Sequence, residues 1–283
     1  MNGIKKNKRI RSCIYHIFCA ALALIMIYPI LWLAFSAFKE KTDIFQEAGK
    51  LLPSTWFFEN FANGWKGFGG VGFDTFFTNS FIITIGATIL SVFSSVFVAY
   101  GFARIRFKGR SFLFACMMMT LMLPVQVLMV PQYMLFSKFG WINTFLPLIV
   151  PYLGGYAFFI FLCVQFIKGI PRDLDEAARI DGCGRIGTFF YLILPLTKSA
   201  MVTSAIFSFY WRWSDFIGPM LYLKKPKLYT VSVALKLFAD PNSVTDWGAM
   251  FAMSFLSLIP VILIFLFLQK YIVEGISTTG LKG

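Results

Sequence analysis

Apolar residues run through this chain in long unbroken blocks, not at the alternating or helical spacing of a half-buried surface. Five blocks of 20 or more residues hold no Asp, Glu, Lys or Arg, and a sixth holds only Arg212 and Asp215. About 20 residues at 1.5 Å each cross the ~30 Å hydrocarbon core of a bilayer, so each block is a candidate transmembrane helix. The pattern predicts six spans: Ile14–Phe38, Asn79–Ala103, Ser111–Ser137, Phe139–Ile167, Ser199–Leu223 and Trp247–Gln269. The expected fold class is therefore all-α, a polytopic membrane protein with six transmembrane helices. Residues 1–13 form a basic N-terminal segment, and 14–283 the membrane domain. A basic start before an apolar run also suits a signal peptide, but that apolar region would be about 7–15 residues. Ile14–Phe38 is longer and no small-residue cleavage site follows, so it is expected to stay as the first helix.

The spans carry further pattern. Ala87, Ser91, Ser95, Ala99 and Ala103 form a stripe of small residues at a four-residue period. Such a stripe lets helix backbones approach closely in lipid. Pro124, Pro131, Pro147 and Pro151 remove backbone donors inside the third and fourth blocks and predict bends there. Freed carbonyls of this kind are tolerated where protein or a water-filled cavity satisfies them, which fits a translocation path.

Composition sharpens the class. Of 283 residues, 58% are hydrophobic and 14% charged, against about 25% charged in soluble domains. The net charge of +13 does not point to nucleic acid, because the basic residues flank apolar spans as the positive-inside rule requires. With the N-terminus inside, the cytoplasmic set is Lys5, Lys6, Lys8, Arg9, Arg11, Arg104, Arg106, Lys108, Arg110, Lys168, Arg172, Arg179, Arg185, Lys198, Lys270 and Lys282, most of the 26 basic residues. Both termini are thus expected in the cytoplasm. Cys13, Cys19, Cys116, Cys163 and Cys183 form no CxxC pair and support neither a disulfide framework nor a metal cluster. His16, the single histidine, reads as an interfacial side chain.

Two loops lie on the outer side in this orientation. The first, 39–78, is rich in Gly, Trp and Phe and is expected to hold short helices. Its Gly67–Gly72 stretch matches GxGxxG, but a dinucleotide site needs that motif between a strand and a helix of a βαβ unit. A loop between two spans offers neither, so the match is accidental. The second, Lys224–Asp246, is polar, with Pro226 and Pro241 as turn signals.

The most informative segment is Lys168–Lys198, too polar to cross a membrane and too patterned for slack loop. Pro171 suits a first helical turn. Asp173, Asp175 and Glu176 place negative charge at that helix's positive end. Ala177, Ala178 and Ile180 continue it, and Gly182 is a natural stop. A second short helix, Arg185–Leu194, runs into Pro195. Pattern alone leaves two readings open: a docking element for another protein, or an amphipathic helix resting on the lipid surface.

Glu176-Ala177-Ala178-Arg179-Ile180-Asp181-Gly182, followed at a fixed gap by Leu194-Pro195, resembles the EAA motif of binding-protein-dependent ABC permeases. Cys183 departs from it, standing where the family usually has alanine. The resemblance extends to Asn79-Ser80, to Arg104-Ile105-Arg106-Phe107-Lys108-Gly109-Arg110, to Ile142-Asn143-Thr144 and to Trp213-Ser214-Asp215-Phe216, where the family often has Asn for Ser214. It ends on the tail Gly275–Gly283. Together these are similar to MalG-type permease subunits of carbohydrate importers, with an ABC type I importer permease fold. The resemblance implies that 168–198 is a coupling segment seated in a cleft of a separate ATPase subunit. Glu176, Ala177, Ala178, Asp181, Gly182 and Pro195 would form the joint, and Gly280–Gly283 would reach the ATPases. It further implies a second permease subunit, two ATPase subunits, an extracytoplasmic solute-binding protein and a bacterial plasma membrane. Glu40 and Asp43 in the first outer loop are candidates to meet the binding protein.

No cofactor is expected on this chain, and ATP and Mg would be used by the partner ATPase. A Walker A motif needs GxxxxGK[ST] to cradle phosphates. The one Gly-Lys pair in that order, Gly49-Lys50, is followed by Leu51. Arg212 and Asp215 in the fifth span, with Tyr210, Trp211 and Trp213 around them, fit either a sugar path or an interfacial aromatic belt with an i,i+3 ion pair. A secondary transporter would place more ion-coupling carboxylates in mid-span, and a membrane enzyme would cluster His, Asp or Cys near one face; neither pattern is present.

Overall fold

The computed structural model describes residues 2–239 and 246–280, with side chains within 10–239 and 246–271. Among these residues the secondary structure is helical, apart from one isolated bridge between Phe68 and Val71. In chain order the helices are α1 (Asn2–Ser36), α2 (Asp43–Gln46), α3 (Glu59–Trp65), α4 (Phe73–Arg104), α5 (Arg110–Thr120), α6 (Val125–Lys138), α7 (Leu146–Ile149), α8 (Ala157–Gly169) and α9 (Asp173–Ile180). They continue with α10 (Arg185–Gly187), α11 (Leu194–Leu196), α12 (Lys198–Trp213), α13 (Ile217–Tyr222), α14 (Val231–Phe238) and α15 (Trp247–Gly280). A 3-10 turn, Val150–Gly154, joins α7 to α8, and a π-helical turn, Thr188–Ile193, joins α10 to α11.

Four stretches are long and apolar enough to cross a membrane: Ile10–Ser36, Phe73–Arg104, Leu146–Gly169 and Trp247–Tyr271. Two further candidates are bent pairs, α5 with α6 at 99° and Arg185–Leu196 with α12 at 72°. Six spans result if each bent pair is one. The third predicted span is therefore not one rod. Leu121–Pro124 interrupts it, and Pro124 sits in extended backbone before α6. The fifth is shorter than Ser199–Leu223, because α12 ends at Trp213 and α13 restarts at Ile217. The fourth starts late, at Leu146. Asn143, in left-handed backbone, donates its N–H to the Tyr222 carbonyl at 2.9 Å in the turn before it. The first, second and last helices overrun their apolar blocks, since polar flanks such as Asp74 in the first turn of α4 suit helix ends.

The chain divides into two units. One comprises Met1–Phe73 and Leu235–Leu258. Within it, α2 and α3 fold over the end of α1. Buried Asn60 donates to the carbonyls of Ala37 and Lys39 at 3.0 and 2.8 Å. Lys39, also buried, sends its ammonium to the carbonyls of Glu47 and Lys50. The expectation of short helices in the first outer loop is met. Its GxGxxG stretch is a tight reversal: Phe68 and Val71 exchange N–H···O bonds of 3.1 Å, with Gly69 and Gly70 both at positive φ.

The other unit comprises Asp74–Ala234 and Ile259–Gly283. The small-residue stripe of α4 is wholly buried here. Ser95 Oγ accepts the Tyr156 N–H at 2.9 Å, using a polar group of the stripe to satisfy the start of α8. A core of Val96, Ala99, Tyr100, Ile160, Cys163, Val164, Ile167, Phe189 and Ile193 joins α4, α8 and the π-helical turn. Asn79 Nδ2 donates to the carbonyls of Lys227 and Tyr229, and Ser80 Oγ accepts the Val231 N–H, so this pair ties the start of α4 to the start of α14.

Candidate functional site

The segment 168–198 folds as two short helices separated by a glycine stop. Asp173, Asp175 and Glu176 occupy the first turn of α9, where unpaired N–H groups and the helix dipole favour carboxylates. At the other end Gly182 takes φ +83°, the left-handed conformation that costs glycine least. Its N–H bonds the Arg179 carbonyl at 3.0 Å, and the Cys183 N–H bonds the Ala178 carbonyl at 2.8 Å. These two bonds form a Schellman cap, which satisfies the last carbonyls and turns the chain sharply. Gly182 is thus a stop for geometric reasons, as its place in the pattern implied.

Arg185–Leu196 then forms the second helix, slightly longer than predicted. Thr188, Phe189 and Ile193 are buried along it, and the Phe189 ring meets Tyr100 and Phe97 at 5.3 Å each. Pro195 does not end it, since helical backbone continues through α11 to Leu196. The bend comes after Leu196, where Thr197 Oγ1 donates to the Ile193 carbonyl at 2.6 Å.

Of the residues singled out from sequence, Glu176, Ala177, Asp181 and Gly182 are exposed on α9 and its cap, Ala178 is half-buried and Pro195 is exposed on the second helix. Large apolar side chains stand out beside them: Ile180 is 86% exposed, Ile186 71% and Tyr191 83%. A charged helix ringed by exposed Ile and Tyr is a surface built to be covered. The tail Gly280–Gly283 lies outside the described residues beyond Gly280.

The sequence reading assigned Arg104 to a cytoplasmic charge cluster and gave Tyr100 no role. Both belong to this site. Arg104 Nε lies 3.1 Å from Asp175 Oδ2, with the arginine side chain 6% exposed, and its Nη2 donates to the Ile170 carbonyl at 2.7 Å. One turn earlier, Tyr100 Oη donates to the Arg185 carbonyl at 3.0 Å. A cleft of about 400 Å³ opens here, lined by these residues with Arg106, Arg172, Glu176 and Arg179. The available signal was Tyr100 and Arg104 at i and i+4 on one helix face.

The second candidate group is dispersed. Trp211 packs among Tyr156, Phe158, Phe159 and Phe207. Trp213, two residues on, packs instead with Phe77, Phe81 and Phe209. Tyr210 is exposed. Arg212 and Asp215 each find other partners. The guanidinium sits 3.8 Å over the Tyr152 ring, while Asp215 Oδ1 accepts the Gly218 N–H at 3.2 Å. The Asp215 N–H still bonds the Arg212 carbonyl at 3.3 Å, so the turn persists while the two side chains take different partners.

The match that decides the family spans residues 91–278, which fit the binding-protein-dependent transport system inner membrane component. The chain belongs to that family. Among the relatives of this inner membrane component is the probable ABC transporter permease YurM of Bacillus subtilis, 38% identical over 90% of this chain and 84% of the relative. The arabinooligosaccharides permease AraQ of Halalkalibacterium halodurans is 31% identical over 99% of both chains. The trehalose/maltose permease MalG of Thermococcus litoralis is 32% identical over 93% and 94%. In fold, the inner membrane component is similar to a chain of a bacterial ABC transporter that imports the acidic polysaccharide alginate. That likeness has a TM-score of 0.77 at 23% identity, covering 93% of this chain and 96% of the other.

Proposed function

We propose that this chain is one permease subunit of an ATP-driven ABC importer for carbohydrate in a bacterial plasma membrane. It forms half of the pathway, beside a second permease, and receives sugar from an extracytoplasmic binding protein. Two separate ATPase subunits hydrolyse ATP with Mg, and this chain holds no nucleotide site. The observation that carries the reading is the exposed helix α9 (Asp173–Ile180), capped at Gly182, with Ile180 on it and Ile186 and Tyr191 on the next helix uncovered. Glu176 makes the charged contact with the ATPase, Ala177 and Ala178 allow close approach, and Asp181, Gly182 and Pro195 set the shape of the joint. The carbohydrate assignment is supported by the sugar permeases among the relatives. The substrate path runs by the break in the fifth span, past Tyr210, Trp211, Trp213 and Asp215.

The test is ATP hydrolysis by the reconstituted complex with Glu176→Ala or Gly182→Pro in this chain. The variants are expected to lose stimulation by the sugar-loaded binding protein, or to lose the ATPase subunits on purification. Full stimulated hydrolysis and transport in both would make the segment a lipid-surface helix and sink the reading.

A further inference from the structure

The coupling segment is held by more than its covalent neighbours. Arg104 is the last residue of α4, and Asp175 lies in the first turn of α9. Each therefore complements the dipole of its own helix as well as the other's charge. The arginine has two prongs, one on Asp175 and one on the Ile170 carbonyl, so it grips the chain on both sides of Pro171. A planar guanidinium can hold two acceptors in fixed geometry, whereas an ammonium is a point charge. Asp175 Oδ1 and Arg104 Nε are both buried without a hydrogen-bond partner among the described residues, so the two groups are held together as an ion pair. Tyr100 grips the second short helix through the Arg185 carbonyl, and Phe189 packs on the same ring.

From this geometry we infer that Arg104 is the positioning residue that carries movement of the coupling segment into α4, the second span. Two polar contacts from one face of α4, Arg104 to Asp175 and Tyr100 to Arg185, fasten both short helices to the helix whose small-residue stripe is buried against its neighbours. A displacement of α9 then pulls on α4 directly, instead of passing only along the chain into α8 and α12. The arginine side chain is 6% exposed and the aspartate 20%, and removing one partner of a largely buried pair leaves the other charge poorly compensated. The clamp therefore resists being opened while the segment moves. This inference rests on the coupling reading above, and its test separates the two.

The experiment uses the full complex, trapped with ATP and vanadate, and spin labels in a cysteine-depleted form of this chain. A label pair at Leu196→Cys and Phe267→Cys follows the second short helix; a pair at Ile89→Cys and Phe267→Cys follows α4. All three sites are exposed. Trapping is expected to shift both distances in the otherwise unchanged chain. In Arg104→Ala and Asp175→Asn the Leu196 pair still shifts and the Ile89 pair does not. The Leu196 shift kept in these variants shows that they still fold and still engage the ATPases. Arg104→Lys keeps the charge and the fold but loses one prong, and it too is expected to lose the Ile89 shift. An unaltered Ile89 shift in Arg104→Ala or in Asp175→Asn overturns the clamp. If trapping moves neither pair in the unchanged chain, the coupling reading itself has failed.

Discussion

At the scale of single residues, Gly182 gives a prediction in which sterics are separated from space. A Cβ built on it meets nothing within 4 Å, so crowding is not the constraint. The left-handed backbone is, and it costs an L-residue roughly 1–2 kcal/mol. Gly182→Asn should come close to the parent, Gly182→Ala should loosen the cap, and Gly182→Val should loosen it most, because a branched Cβ tolerates positive φ worst. Amide hydrogen exchange at Gly182 and Cys183, whose N–H groups close the cap, reads this order directly. Equal protection in the Asn and Val variants would show that the cap does not depend on the conformation of residue 182.

Among elements, α4 carries the clearest contrast. Its stripe is buried while Ile89, on the same helix, is 61% exposed. Ser95→Leu overfills a closed interface and removes the acceptor of the Tyr156 N–H. Overpacking alone typically costs about 1–3 kcal/mol. The thermal unfolding midpoint in detergent should therefore fall clearly for Ser95→Leu and hardly move for Ile89→Leu. Matching midpoints would mean that the stripe is not a packing face. The broken fifth span also belongs to this scale: Trp211 and Trp213 were legible as aromatic residues near a charge pair. Their divergence into two clusters was not, because partners such as Tyr156 and Phe81 come from other helices.

For the molecule as a whole, the charge distribution predicts orientation. In right-side-out vesicles holding a cysteine-depleted chain, Lys66→Cys should react with a membrane-impermeant maleimide, and Arg179→Cys should react only after permeabilisation. The reverse pattern would invert the topology and place the 168–198 segment out of reach of any cytoplasmic ATPase. The two predictions are linked, since coupling at Glu176 requires this orientation.

The amino-acid order by itself determined what local chemistry controls. Charge-free blocks long enough for a bilayer yielded the spans, the first-turn acids and Gly182 yielded α9 and its cap, and the four-residue period yielded the buried face of α4. Each of these depends on neighbours within about two helical turns. Only the tertiary structure decided where the fourth span starts and where the fifth breaks, because a polar residue or an Asp permits a break but surrounding contacts place it. Asn143 on the Tyr222 carbonyl and Arg212 on the Tyr152 ring are such contacts. It also decided that Arg104 is a clamp and not one more positive charge at the membrane surface. Its partner Asp175 lies 71 positions away (175 − 104), and pairing across such a separation follows from how helices pack, which no local pattern records.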